Sequence, residues 1–302
     1  LDKWPRDLLA LRLAQSCHFY LGWHDGFCDV ADAVLAAWPR NRRSYGFVLA
    51  IASFAHAENG NADYAEALGL RALAIDAACP MGVHAIAHAL AESGRSADGA
   101  RWMREQVAHW AAESRMRTHN AWHLAMFDAM EGNLVSALGI ADGWLLPAGT
   151  HSVLDACDAT ALLWRLATLG VDMGNRWSLV SDAFERNVTP GFWPYVDLHA
   201  AFAHWNARQP ERLRALARAI DECAEESDYA ALRARHITRP GLQALQAWTD
   251  GRHDQAIELF AGVRPRLGQM GGSRVQLEIF SSIEQEAVRR ARRHGEQARR
   301  AA

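Results

Sequence analysis

Glu58-Asn59-Gly60-Asn61-Ala62 and Glu92-Ser93-Gly94-Arg95-Ser96 carry the same punctuation. Each sets a glycine among small polar residues, the composition of a tight turn, between segments whose apolar residues recur at spacings of three and four. The two glycines lie 34 residues apart. Working outward, Asp25-Gly26, Glu131-Gly132-Asn133 and Asp250-Gly251-Arg252 read as further turns. Pro39, Pro80, Pro147, Pro190 and Pro240 read as the starts of new hairpins, since proline is tolerated in the first turn of a helix and not within it. Abundant alanine favours helix, and long runs of alternating β-branched residues are absent. The chain is therefore predicted to be all-α. About seven helical hairpins are expected, over approximately 5–38, 43–78, 81–113, 115–146, 152–187, 193–223 and 239–269, with a last basic helix from about 272 to 298.

A period of 34 residues is that of tetratricopeptide repeats. Ala65, Ala72 and Pro80 occupy the small-residue and terminal-proline positions of such a repeat. Gly132 follows Gly94 by 38 residues, so the repeat is degenerate, and it is clearest over 43–146. The expected architecture is a degenerate tetratricopeptide-like solenoid forming a single domain over 1–302.

Composition narrows the function. Half of the 302 residues are hydrophobic and 22% are charged, the balance of a folded chain. A formal net charge of −3 provides no global field for nucleic acid or an anionic membrane, so neither is an expected partner. No apolar run approaches the roughly 20 residues that span a bilayer. The opening Leu1-Asp2-Lys3-Trp4 has no start methionine or signal-peptide pattern and is expected of a trimmed or truncated form. Five scattered cysteines, without a Cys-x-x-Cys pair, argue against a disulfide framework or a thiolate zinc site and suggest a reducing cytoplasm. Most of the twelve tryptophans are expected in the core. No phosphate-binding glycine loop, dinucleotide fingerprint, nucleophile elbow or zincin motif occurs, so no nucleotide cofactor is expected. Arg289, Arg290, Arg292 and Arg293 read as a solvated face near a helix C-terminus, where the helix dipole favours cations.

One polar pattern stands apart. His84-Ala85-Ile86-Ala87-His88-Ala89-Leu90-Ala91-Glu92 places His84, His88 and Glu92 on one helix face, and His119-Asn120-Ala121-Trp122-His123 places His119 and His123 on another. Both stripes fall on the first helices of adjacent hairpins. Four neutral imidazoles from His84, His88, His119 and His123 would suit zinc, copper, iron or manganese. Glu58, in the same place before its turn as Glu92, could extend the stripe. His88 lies six residues before Gly94, whereas His123 lies nine before Gly132, so the stripes are expected to be offset by about one turn. Metal binding, a metal-free ligand groove and structural hydrogen bonding all remain open at this point. Asp197 and His199 near the start of a later helix are weaker candidates, for which capping is the default.

The segments around His84, His88, Glu92, His119 and His123 resemble the tetratricopeptide repeat protein 38 family, which includes StaR-like proteins of antibiotic biosynthesis clusters. The resemblance continues through Leu163-Trp164-Arg165-Leu166, Arg176-Trp177, Asp197-Leu198-His199-Ala200 and Gly271-Gly272-Ser273, in order along nearly the whole chain. Family members typically carry His-Ala-Gln-Arg-Asp after the Gly-Gly-Ser, where this chain reads Arg274-Val275-Gln276-Leu277-Glu278, and they usually have a longer N-terminal part. The resemblance implies a helical-repeat fold, and for StaR-like members hydroxylation has been suggested.

The expected function is binding of a small polar or aromatic molecule in a groove of the repeat. His84, His119, Asn120, Trp122, Asp197, His199 and Glu58 would contact the ligand. His88, His123 and Glu92 would carry chemistry, and the four histidines would hold a divalent metal. Such a protein would act as an oxygenase or hydrolase in a tailoring step of specialised metabolism. The alternative is a non-catalytic scaffold holding a peptide or protein partner on its repeat surface.

Overall fold

The computed structural model of the chain describes residues 1–23, 26–111, 116–147, 152–187 and 189–301, the side chains of 187 and 293–301 apart. All regular structure among these residues is helical. In chain order the helices are α1 (Leu8–Leu21), α2 (Phe27–Ala37), α3 (Ser44–Glu58), α4 (Ala62–Ile75), α5 (Pro80–Glu92), α6 (Ser96–Glu105), α7 (Val107–Trp110), α8 (Arg117–Met130), α9 (Leu134–Ile140), α10 (Val153–Thr168), α11 (Arg176–Asn187), α12 (Pro194–Asn206), α13 (Pro210–Ala224), α14 (Tyr229–Arg233), α15 (Arg239–Thr249), α16 (His253–Val263) and α17 (Arg274–Ala301). π-helical turns at Ala141–Leu145 and Ala234–Thr238 extend α9 and join α14 to α15, and a 3-10 segment, Arg264–Met270, follows α16. The chain falls into two compact units, Leu1–His151 with Arg165–Asp172, and Ser152–Trp164 with Met173–Ala302. No helix among the described residues is long and apolar enough to cross a membrane.

The turns that punctuate the sequence are one motif. At the end of α3 the Gly60 N–H donates to the Ala57 carbonyl (3.0 Å) and the Asn61 N–H to the His56 carbonyl (2.9 Å), with Gly60 at φ 82°. A left-handed residue just past a helix lets the next amides turn back onto the last free carbonyls, and glycine adopts that conformation without strain. The ends of α5, α8, α10 and α15 repeat the pair of bonds. Of the Asp25-Gly26 turn, Asp25 lies outside the described residues.

The end of α12 uses the same pair, Arg208 to Trp205 (3.0 Å) and Gln209 to His204 (2.9 Å), but places exposed Arg208 at φ 56° in the glycine position. Left-handed backbone costs a residue with a Cβ roughly 1–2 kcal/mol. Arg208→Gly should therefore stabilise the protein by about 0.5–1 kcal/mol. The expected readout is a higher urea midpoint at unchanged slope; a lower midpoint would contradict the strain.

Helices divide by exposure. In α3, Tyr45 to Glu58 are buried with Phe47 half-buried; Met81 to Leu90 of α5, Asn120 to Ala129 of α8 and Pro194 to His204 of α12 are buried throughout. Their partners bury only a stripe: Ala65, Leu68, Gly69 and Ala72 in α4, and Leu216, Ile220 and Ala224 in α13. A helix apolar all round belongs to an interior, and an amphipathic one covers it. Small residues permit close approach. A Cβ on Gly69 would stand 2.5 Å from Ile86 Cγ1, and Ser53 Oγ donates to the Ala65 carbonyl at 2.6 Å. The first unit's core joins Leu11, Phe27, Val34, Trp38, Leu49, Phe54, Met81 and Ala85. In the second unit, buried Trp164, Phe202 and Trp248 pack with Trp205, and the Trp164 Nε1–H donates to Ser282 Oγ at 2.8 Å.

Pro240 does not begin a hairpin. The helical run starts at Tyr229 and passes through the π turn Ala234–Thr238 into α15, with Pro240 in its interior. A proline has no N–H and crowds the carbonyl four residues back, and a wider turn relieves both demands. The Arg239 N–H reaches back five residues to the Ala234 carbonyl, which is that wider turn. On α17, Arg289 and Arg290 pair with Glu286, and Arg290 also lies over the Trp248 ring at 5.0 Å. The Arg293 side chain is outside those described.

Candidate metal centre

Three buried helices of the first unit position the site. α3 supplies Phe54 and Glu58, one turn apart; α5 supplies His84 and His88; α8 supplies His119 and His123. The i,i+4 spacing puts each pair on one helix face. One ligand atom from each histidine lies within 4.8 Å of every other. The rings pair in order, His84 with His119 at 4.9 Å and His88 with His123 at 4.7 Å between centroids. The one-turn offset expected between the stripes does not keep them apart, because α8 meets α5 in a register that cancels it.

His88 is fully buried and donates its Nδ1–H to Glu58 Oε1 at 2.8 Å. This fixes the tautomer and leaves the Nε2 lone pair facing the cluster, the arrangement of a carboxylate-supported metal ligand. His84 Nε2 lies 2.9 Å from His88 Nε2 and 3.0 Å from His119 Nε2. A neutral imidazole nitrogen has either one in-plane proton or one in-plane lone pair. It cannot complete two linear hydrogen bonds with two ring nitrogens at once. Buried His84 Nδ1 and His123 Nε2 have no hydrogen-bond partner. A cation among the four Nε2 atoms would satisfy what protons cannot.

Aromatic rings line the cluster. Phe54 stacks on His84 (5.4 Å, 22°) and meets His88 edge-on (5.0 Å). Trp122 stacks on His119 (5.3 Å, 14°). Burial holds the His84 and His123 imidazoles well below the usual histidine range, and neighbouring imidazoles add to the effect; for His84 so does the positive charge of Arg12. Both are thus neutral near pH 7, the form that ligates metal.

Other predicted residues have different places. Glu92 is half-buried at the end of α5, outside the four-histidine group. Asn120 is fully buried with neither side-chain polar atom partnered, and Trp122 Nε1 is likewise unpartnered. Asp197 and His199 belong to the second unit. The Gly191 N–H reaches both Asp197 carboxylate oxygens (3.2 and 3.3 Å), and burial raises that carboxyl to about 7 despite the Gly191 N–H and Arg233. His199 donates Nδ1–H to the Tyr195 carbonyl (2.6 Å), and burial lowers it to about 4. Asp158 accepts from Gln276 Nε2 at 2.9 Å. Phe54 went unnoticed in the sequence, although its i,i+4 spacing from Glu58 is a signal. Ser181, whose hydroxyl lies 2.8 Å from His204 Nδ1, had none, because the two residues sit on different helices.

These shifts set a pH dependence. An unfolded histidine takes its proton near pH 6.5, while His84, His123, His199 and His204 stay neutral in the fold to lower pH, to about 4 for the last two. Between those limits the unfolded chain binds more protons, so stability is full above about pH 6.5 and falls on acidification, by up to about 1.4 kcal/mol per pH unit for each group. Asp197 acts oppositely: between 3.8 and about 7 only its folded form holds the proton, so its contribution declines as pH rises. The histidines outnumber it. Metal-free protein should show a lower denaturation midpoint at pH 5.5 than at pH 7, and an unchanged or higher one would contradict the burial of neutral imidazoles.

No family model matches the chain. Among solved structures, a tetratricopeptide repeat protein from Parabacteroides merdae ATCC 43184 is similar at 11% identity and a TM-score of 0.45, over 92% of this chain and 98% of that one. The helical-hairpin description rests on this chain's own elements and turns.

Proposed function

We propose that the first unit binds one divalent first-row transition-metal ion through Nε2 of His84, His88, His119 and His123, and that the protein uses it as an oxygenase or hydrolase acting on a small molecule. The observation that carries this reading is His84 Nε2, 2.9 and 3.0 Å from two other Nε2 atoms in a buried site. Imidazole donors suit zinc, copper, iron and nickel. Metal–nitrogen bonds of about 2.1 Å put neighbouring donors about 3.4 Å apart in a tetrahedron and about 3.0 Å apart at right angles. Both separations are short enough for one ion to span the donors. Such a metal supplies Lewis acidity and activation of water or oxygen. The chain's own residues orient the donors: Glu58 fixes the His88 tautomer, and Phe54 and Trp122 hold the His84 and His119 ring planes. The resemblance to StaR-like proteins supports the oxygenase form and a tailoring step in specialised metabolism.

Calorimetric titration of chelator-treated protein with zinc or cobalt(II) tests the reading. One saturable site is expected, lost in the His88→Ala/His123→Ala double variant. Equal uptake by that variant, or no uptake by the parent protein, would overturn it. A scaffold would bind its partner equally well in both.

A further inference from the structure

We infer that α1 packs antiparallel on the α1 of a second copy of this chain, making a twofold dimer. The helix has two apolar faces. On the inner one Leu11 and Gln15 are buried, and half-buried Leu8 and Phe19 pack on the core of the first unit. On the outer one Leu9, Leu13, Ser16 and Tyr20 recur at spacings of four, three and four, the spacing of a seam between two paired helices. Leu9, Leu13 and Tyr20 are 68%, 55% and 41% exposed. A helix apolar on two faces belongs between two layers, and within one copy α1 meets only one.

Charge sets α1 apart from the helices that face water. Its 14 residues carry Arg12 as their one aspartate, glutamate, lysine or arginine, whereas the amphipathic α13 carries Glu211, Arg212, Arg214, Arg218, Asp221 and Glu222 in 15. Depletion of charge marks the centre of a protein interface. The area is also sufficient. Trp4 and Trp23, at the two ends of α1, are 68% and 51% exposed. At roughly 150–250 Å² per large side chain, these five residues leave about 400–700 Å² uncovered. The intervening Arg12, Ser16 and Cys17 bring this near the roughly 800 Å² that each partner contributes to a standard interface.

A second copy suits this surface because the surface is complementary to itself. A twofold interface uses the same patch on both sides. Antiparallel alignment sets Leu13 against the partner's Ser16, a large residue on a small one, and Leu9 against the partner's Tyr20. It also opposes the two helix dipoles. Trp4, Arg6, Asp7 and Leu8 line an open cleft of about 670 Å³ with Pro5 and Ala37. The same alignment carries the partner's Trp23 to Arg6, at that cleft.

Sedimentation velocity from 1 to 100 μM, with chelator present so that no metal bridges two copies, should show a concentration-dependent species of twice the chain mass. Leu13→Glu should raise its dissociation constant at least about thirtyfold, because a carboxylate from each copy enters the seam unpaired. Its helical circular dichroism should match the parent's, since Leu13 is more than half exposed within one copy. Leu9→Glu should act likewise. Val135→Glu, which charges an exposed apolar residue on α9, should leave the dimer intact. Exposed Cys17 borders the seam, and antiparallel pairing places the two copies of it about 7.5 Å apart along the helix axis. A short bismaleimide should therefore join the two chains, and Cys17→Ser should abolish the product. A monomeric parent, a Leu13→Glu dimer as tight as the parent's, equal weakening by Val135→Glu, or cross-linking unaffected by Cys17→Ser would each overturn the pairing.

Discussion

Metal-free protein given a slight excess of zinc should melt about 8–16 °C higher than before. A ligand at a thousandfold excess over its dissociation constant adds about 4 kcal/mol to the folded state, and each kcal/mol moves the midpoint of a domain of 150–250 residues by roughly 2–4 °C. The effect should be large because the apo site carries an unrelieved cost. His123 Nε2 is buried without a partner, and His84 Nε2 is crowded by two ring nitrogens. An unsatisfied buried polar atom costs about 1–3 kcal/mol, and coordination removes that cost for each Nε2. Differential scanning fluorimetry with and without zinc, on the parent protein and on His88→Ala/His123→Ala, measures it. Equal shifts in the two proteins would assign the zinc effect to some other part of the surface.

Glu58→Ala should lower metal affinity about 10–100-fold although Glu58 is not a ligand. The carboxylate accepts the His88 Nδ1–H at 2.8 Å with both side chains almost fully buried. Without it, the His88 ring loses its fixed tautomer and leaves a donor unpaired, and stability should fall by about 1–3 kcal/mol. Glu58→Gln keeps an acceptor but removes the charge that offsets the metal, so its affinity should lie between the two. The measurements are competition with a chromophoric chelator for affinity and urea unfolding for stability. An affinity for Glu58→Ala equal to the parent's would mean that His88 is held by something else.

Much of this was legible in residues alone. Gly60 and Gly94 fixed two turns because the left-handed cap selects glycine, and their separation fixed the hairpin length. The cap after α12 was hidden because Arg208 fills the glycine position at a cost in strain. Pro240 misled because a proline normally ends a helix, and the π turn that accommodates it leaves no mark in composition. The i,i+4 histidine pairs were legible because that spacing places them on one face wherever the helix lies. Their convergence was not, since the register of α8 against α5 is set by packing between helices, with α6 and α7 intervening in the chain. Glu58 was visible as a carboxylate in the right place before its turn. Its choice of His88 as partner depends on a contact between helices that no local pattern encodes.

The most direct measurement is an anomalous-difference map from crystals grown with zinc, collected on both sides of the zinc absorption edge. The account predicts one strong edge-dependent peak in the first unit, about 2.0–2.2 Å from Nε2 of His84, His88, His119 and His123, with Glu58 still bonded to His88 Nδ1. Well-ordered imidazoles in contact with one another, with no such peak between them although zinc was supplied, would contradict it.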